Sequence, residues 1–150
     1  MAMHNAAVLD HLASLIRTLE TRPAIPNAMF TAAVYLQDRA LVLDLATTAD
    51  PAQRSALTDA VTRLEQERAN TPRAVIVDLA DCECLPSAAI GFLLAARQAA
   101  AQELPFFCVA VPASIMETLA ILGLTRHLLC AQNVDAALER LTAGQRRHAP

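Results

Sequence analysis

The chain has 150 residues, 55% of them hydrophobic, 3% aromatic and 18% charged, with a formal net charge of −3 at pH 7. That length suits one domain with an appended helix, and the apolar content is ample for a packed core rather than a disordered chain. The acidic balance gives no electrostatic footprint for nucleic acid. All 12 basic residues are arginine, so there is no lysine for a Schiff base or a phosphate-binding P-loop.

The N-terminal part comes first. Val8, Leu12, Leu15, Ile16 and Leu19 recur at helical spacing, which predicts an amphipathic helix from Asn5 to about Thr21. Its single apolar stripe must be buried, either on this domain or on a second copy, so a homodimer through this helix is one expectation. Pro23 and Pro26 end the helix and make a short linker. Met29 to Leu36 and Ala40 to Leu45 read as two strands, with Gln37-Asp38-Arg39 as the hairpin turn. Asp50 followed by Pro51 signals a helix start, a capping acid before a proline at the first helical position. Leu57, Val61 and Leu64 carry that helix's apolar face.

Val75, Ile76, Val77 and Leu79 form a short apolar run suited to a strand covered on both faces. A helix opens at Ser87, and Phe106 to Val111 reads as a strand broken by Pro112. A helix through Ile115, Met116, Leu119 and Leu122 is stopped by Gly123. A short strand near Leu128 and a last helix through Val134, Leu138 and Leu141 follow, and the tail from Gly144 is expected to fray. Strand–helix alternation from Leu41 onward demands mostly parallel pairing, and the opening hairpin makes the sheet mixed. The division expected is residues 1–28 as helix and linker, 29–143 as the domain, and 144–150 as a tail.

No apolar run reaches membrane-spanning length and no signal-peptide order opens the chain, which together predict a cytoplasmic protein. The four cysteines read as free thiols, Cys108 and Cys130 as small buried hydrophobes. Cys82-x-Cys84 could be half of a metal site. A second half from Cys108, Cys130 or His127 would have no recognisable spacing, so the structural reading is preferred. His4, His11, His127 and His148 stand without a Ser or Cys partner at triad-like spacing. There is no H-E-x-x-H and no paired-carboxylate motif. The glycines are three, Gly91, Gly123 and Gly144, too few for a phosphate cradle. No cofactor or metal is expected.

The most informative stretch is Val75 to Leu94, VIVDLADCECLPSAAIGFLL: a buried strand, a short acidic loop with Asp81 and Glu83, and a helix whose apolar residues are Ile90, Leu93 and Leu94. Ser87 is placed to cap that helix. A phosphate there would be electrostatically welcome to the helix start.

This stretch resembles the signature of the STAS domain, the fold of bacterial anti-sigma factor antagonists, roughly V-L-D-L-S-x-V-x-x-I-D-S-S-G-L-G-V-L-L. Asp78-Leu79 take the D-L, Ser87 the first serine, Ala88 the second, Ile90 the leucine and Gly91 the last glycine. Pro86 stands where the family usually has Asp, and Ala89 where it usually has Gly. Leu41 to Leu57 resembles the family's earlier strand–loop–helix, with Asp50 on that motif's Asp. Phe106 to Leu128 resembles its later strand and helix, with Gly123-Leu124 on the G-L. The resemblance spans about Phe30 to Leu141.

It implies an α/β fold, a STAS-type small mixed sheet with helices, here preceded by the N-terminal amphipathic helix. It implies a bacterial, non-catalytic signalling module in transcription regulation that binds a kinase-type anti-sigma factor or a related regulatory kinase. Ser87 would be its phosphorylation site and a phosphatase would reset it. Partner-binding residues would be Thr48, Asp50, Pro86, Ser87, Ala88, Ile90 and Gly91, gathered at one end of the sheet. Some small STAS proteins are instead subunits that dock the ATPase of a lipid-transport ABC system, and Ser87-Ala88 resembles their Thr-Ala equally well.

Overall fold

The structure is a computed structural model describing residues 2–21, 29–48, 50–67, 69–70, 72–100 and 104–148. Five strands, β1 (Met29–Gln37), β2 (Ala40–Thr48), β3 (Ala74–Asp81), β4 (Phe106–Val109) and β5 (Cys130–Ala131), pair in sequence order. β1 runs antiparallel to β2, and β2 to β5 run parallel. The helices are α1 (Ala2–Thr21), α2 (Ser55–Glu67), α3 (Ser87–Ala100), α4 (Ala113–Ile121) and α5 (Val134–His148), and a 3-10 turn, Pro51–Arg54, precedes α2. This is the mixed α/β architecture expected, with the N-terminal helix present.

Parallel strands laid down in one direction need right-handed crossovers, which put α2, α3 and α4 on one face of the sheet. Leu41, Leu43, Leu45, Val75, Val77, Leu79, Phe106 and Cys108 line that face and pack with Leu57, Leu64, Leu93, Ile115 and Leu119. The opposite face carries Ala40, Val42, Ala74, Ile76, Phe107 and Val109 and meets Ala137, Leu138 and Leu141 of α5. β3 is therefore covered on both faces, and its run Ala74–Val77 is fully buried.

The stripe of α1 is buried within the chain itself: Val8, Leu12, Leu15 and Ile16 are at 0% exposure and Leu19 at 2%. α1 packs chiefly on α3 and then on α2. The linker expected at Pro23 and Pro26 lies outside the described residues.

The hairpin turn has two central residues, Asp38 and Arg39, with φ of 51° and 66°. Positive φ at both positions is the geometry of a type I′ turn, whose twist matches that of the flanking strands. Neither residue is glycine, and Arg73 holds both turn carbonyls: its Nε–H donates to Asp38 O at 2.6 Å and its backbone N–H to Arg39 O at 3.0 Å. β4 ends at Val109, two residues short of the expectation, because Ala110 turns the chain with φ 52°. The last strand lies at Cys130–Ala131 rather than at Leu128, which is instead buried in the core. α5 continues as helix through His148, past the point where fraying was expected.

Candidate functional site

The carboxyl ends of β2 and β3 lie side by side, and the loops leaving them carry the sequence-selected residues. After β2, Asp50 has extended backbone (φ −93°, ψ 112°), and its Oδ1 accepts from the N–H of Ala52 at 3.0 Å. It is a helix cap, as its sequence position predicts. The first turn it caps is 3-10, and the α-helix begins only at Ser55. The Thr48 hydroxyl donates to Gln53 Oε1 at 2.6 Å and accepts from the Asp50 N–H at 3.1 Å. Thr48 and Asp50 thus brace one rigid corner, with Asp50 exposed and Thr48 half-buried.

After β3, the N–H of Glu83 donates to Thr47 Oγ1 at 2.9 Å. This bond ties the loop before α3 to the top of β2, so both helix starts occupy one end of the sheet, as expected. The Ser114 hydroxyl of α4 donates to Glu83 O at 3.4 Å and closes the third side. An open cleft of about 730 Å³ runs between these elements, with Thr47, Asp81 and Glu83 on its walls.

Ser87 is the first helical residue of α3 rather than its cap. The Ile90 N–H donates to Pro86 O at 3.2 Å, so the first helical carbonyl belongs to Pro86, and Pro86 holds the capping position. A proline suits that position because its missing N–H is not needed there. The Ser87 side chain lies outside the described residues.

The phase of α3 sorts the remaining residues. Ala89, Ile90, Leu93 and Ala96 are buried at 0–3% exposure, while Ala88 and Gly91 are exposed. Ile90 therefore packs into the core and does not present itself to a partner, contrary to the sequence expectation. Ala89 is also buried, so its methyl replaces the family's glycine inside the protein and crowds nothing that approaches. A Cβ built on Gly91 would meet nothing within 4 Å, so that surface is open to close approach.

Electrostatically, this end is acidic. Asp50, Asp81 and Glu83 are exposed along the rim. Below it, Asp44 and Asp78 are register partners on adjacent strands. Burial, and then the charges of Asp78 and Asp81, hold the Asp44 carboxyl above its ordinary value of 3.8. Burial first, and then Asp44 and other nearby groups, push the Cys82 thiol up to about 12; burial raises Cys84 as well. Both remain protonated thiols at neutral pH, the weakly nucleophilic form. Among the described residues no group of three His, Cys, Asp or Glu is placed to hold a metal. Cys108 is buried and Cys130 half-buried, both as free thiols. Among the described residues no helix is long and apolar enough to cross a membrane.

A family model described as "Mlab, STAS domain" matches residues 32–130. No curated protein matches the chain. Among solved structures, a variant of RsbS from Moorella thermoacetica is similar at TM-score 0.60 and 20% identity, covering 77% of this chain and 97% of its own. An anti-sigma factor antagonist from Mycobacterium paratuberculosis is similar at TM-score 0.60 and 24% identity, covering 79% of this chain and 97% of its own.

Proposed function

We propose that this chain, which belongs to the STAS domain family, is a non-catalytic partner-switching regulator. In this reading it binds a kinase-type anti-sigma factor through the end of the sheet where Thr48, Asp50, Pro86, Ser87, Ala88 and Gly91 converge. The observation that carries the proposal is the shared end itself: the loop before Ser87 is bonded to Thr47 beside the Asp50 corner, at 2.9 Å. One surface thus holds the family's acceptor position, an open helix face at Ala88 and Gly91, and an acidic rim. The anti-sigma factor antagonist described above supports the same reading by its fold.

Phosphorylation of Ser87 would add about 1.5 to 2 negative charges at neutral pH. At the first residue of α3 those charges meet the positive end of the helix, so the domain stays folded. Asp50, Asp81 and Glu83 already make this rim acidic, so the added charge changes the interface far more than the fold. Regulation then follows from differential affinity between two charge states of one surface. A phosphatase resets the cycle.

Calorimetry with the captured partner tests this directly. Ser87→Ala binds like the parent, and Ser87→Glu binds at least about tenfold more weakly, about 1.4 kcal/mol. Gly91→Arg weakens binding without lowering the melting temperature, because its side chain enters open space. Equal affinity for Ser87→Ala and Ser87→Glu sinks the switch. If in addition the captured protein is the ATPase of a lipid-transport ABC system, the chain is a permanent docking subunit instead.

A further inference from the structure

The chain leaves β4 and β5 in opposite directions. After Val109 it turns at Ala110 (φ 52°) and enters α4 on one face of the sheet; after Ala131 it enters α5 on the other. Adjacent parallel strands with exits to opposite faces open a crevice outside their carboxyl ends, and that is where open α/β sheets take ligands. Such a crevice is present, about 640 Å³ in volume and walled by Ala110, Val111, Met116, Ala131, Ala136 and Arg140. That volume lies in the range of small-molecule sites. The five apolar residues named are half-buried, and three of them are alanine, whose small side chains make the hollow.

Arg140 is the cation on this wall, and it is held in place. Its Nη1–H donates to Cys130 O at 2.9 Å, and the guanidinium lies over the Phe107 ring, 5.2 Å from the centroid. A guanidinium carries five N–H donors, and no carboxylate among the described residues takes any of the others. Asp135, in the first turn of α5, is bonded instead to Gln37 Nε2 of β1 at 3.5 Å. Burial raises the Cys130 thiol and Arg140 works against that rise, so the positive charge is felt inside the crevice. Ala136 stands four residues before Arg140 on the same face of α5, which sets apolar wall and cation side by side.

We infer that this crevice binds a small organic monocarboxylate, its carboxylate on the Arg140 guanidinium and its apolar body along Val111, Met116 and Ala136. The planar fork of a guanidinium matches a carboxylate through two parallel N–H···O bonds. One guanidinium balances one charge, and the chain's net charge of −3 disfavours a polyanion. Apart from Arg140, Gln132 and the Cys130 thiol, the lining side chains are apolar, so the rest of the ligand is hydrocarbon rather than sugar. The crevice contains none of the residues assigned to partner binding, and the inference does not depend on the switching role.

Octanoate is the probe, with octan-1-ol as its uncharged counterpart. Each is titrated into the isotope-labelled full chain and followed by methyl and amide NMR. Octanoate saturates a single site, with shifts centred on the methyls of Ala110, Val111, Met116, Ala131 and Ala136. Octan-1-ol binds at least about tenfold more weakly. Arg140→Gln weakens octanoate about tenfold and leaves octan-1-ol unchanged. Because Arg140 also braces Cys130 and Phe107, a merely structural role would weaken both probes alike, and that result overturns the inference. Ala136→Leu keeps the guanidinium and fills the hollow, so it weakens both probes while the circular dichroism stays that of the parent. An Ala136→Leu protein that binds octanoate like the parent overturns the inference. It also falls if octanoate fails to saturate below the concentration at which it self-associates, if octan-1-ol binds as tightly, or if the shifts centre instead on the exposed Ile121 and Leu122.

Discussion

α1 should behave as part of the core, and truncating it there should cost the whole domain stability. Leu12 and Leu15 are both at 0% exposure, in the cluster that also holds Leu93 of α3 and Leu57 and Leu64 of α2. Replacing a fully buried leucine by alanine loses the transfer free energy of the removed carbons and leaves a cavity, about 2–5 kcal/mol in all. A chain of this size is stable by about 5–15 kcal/mol, so either substitution removes a large share of the total. At roughly 2–4 °C per kcal/mol, Leu12→Ala lowers the melting temperature by about 4–20 °C, as does Leu15→Ala. The contrast is Arg17 on the same helix. Its Nη2 bridges Glu65 Oε1 of α2 at 2.9 Å, but the two side chains are 54% and 55% exposed. A solvent-screened pair of that kind contributes less than about 1 kcal/mol, so Glu65→Gln barely moves the transition. Urea denaturation followed by both far-ultraviolet circular dichroism and sedimentation separates loss of folding from loss of association. A Leu12→Ala protein within about 0.5 kcal/mol of the parent would refute the reasoning, because it would mean that α1 sits on the domain without sharing its core.

Asp44→Asn should stabilise the protein at neutral pH and do nothing in strong acid. The folded carboxyl titrates above 3.8, so its favourable contribution is present below that value and is lost as pH rises through the raised one; asparagine, always neutral, escapes that loss. Melting temperatures from pH 3 to 7 check this, and a difference that shrinks as pH rises contradicts it. Arg39→Gly should raise the melting temperature by about 1–4 °C, a gain of about 0.5–1 kcal/mol, because φ of 66° suits glycine and strains a side chain, while glycine's looser unfolded chain takes part of the gain back. The backbone bond from Arg73 to this turn survives the change, and calorimetry showing a lower melting temperature would point to a contact made by the Arg39 side chain.

How far the sequence led depended on how many neighbours each element has. β3 was legible because a strand buried on both faces leaves an unbroken apolar run, as β4 does at Phe106–Val109. The Asp50-Pro51 corner was legible because capping is local chemistry, settled within three residues. The hairpin turn was placed correctly, but its strain was not, since nothing marks Asp38 and Arg39 as left-handed until β1 and β2 are seen to pair without a gap. The partner of α1 was left open between this domain and a second copy, because an apolar stripe states only that it must be covered.

Ile90 was misplaced for a related reason, and it sharpens the account of the site. α3 reads SAAIGFLLAARQAA, apolar around nearly its whole circumference, so periodicity alone could not say which side faces out. Such a helix is normally buried on more than one side, and α3 is: the sheet covers one flank and α1 another. What remains exposed at its start is the narrow strip of Ala88 and Gly91, three residues apart and so on one face. The signal that could have located this strip was the smallness of the two residues, not their hydrophobicity. A strip without bulky side chains lets another protein approach the first turn of α3 closely, where the free N–H groups and any charge at Ser87 are concentrated. The burial of Ile90 takes it off the exposed surface and leaves Gly91 and Ala88 as the residues to substitute there.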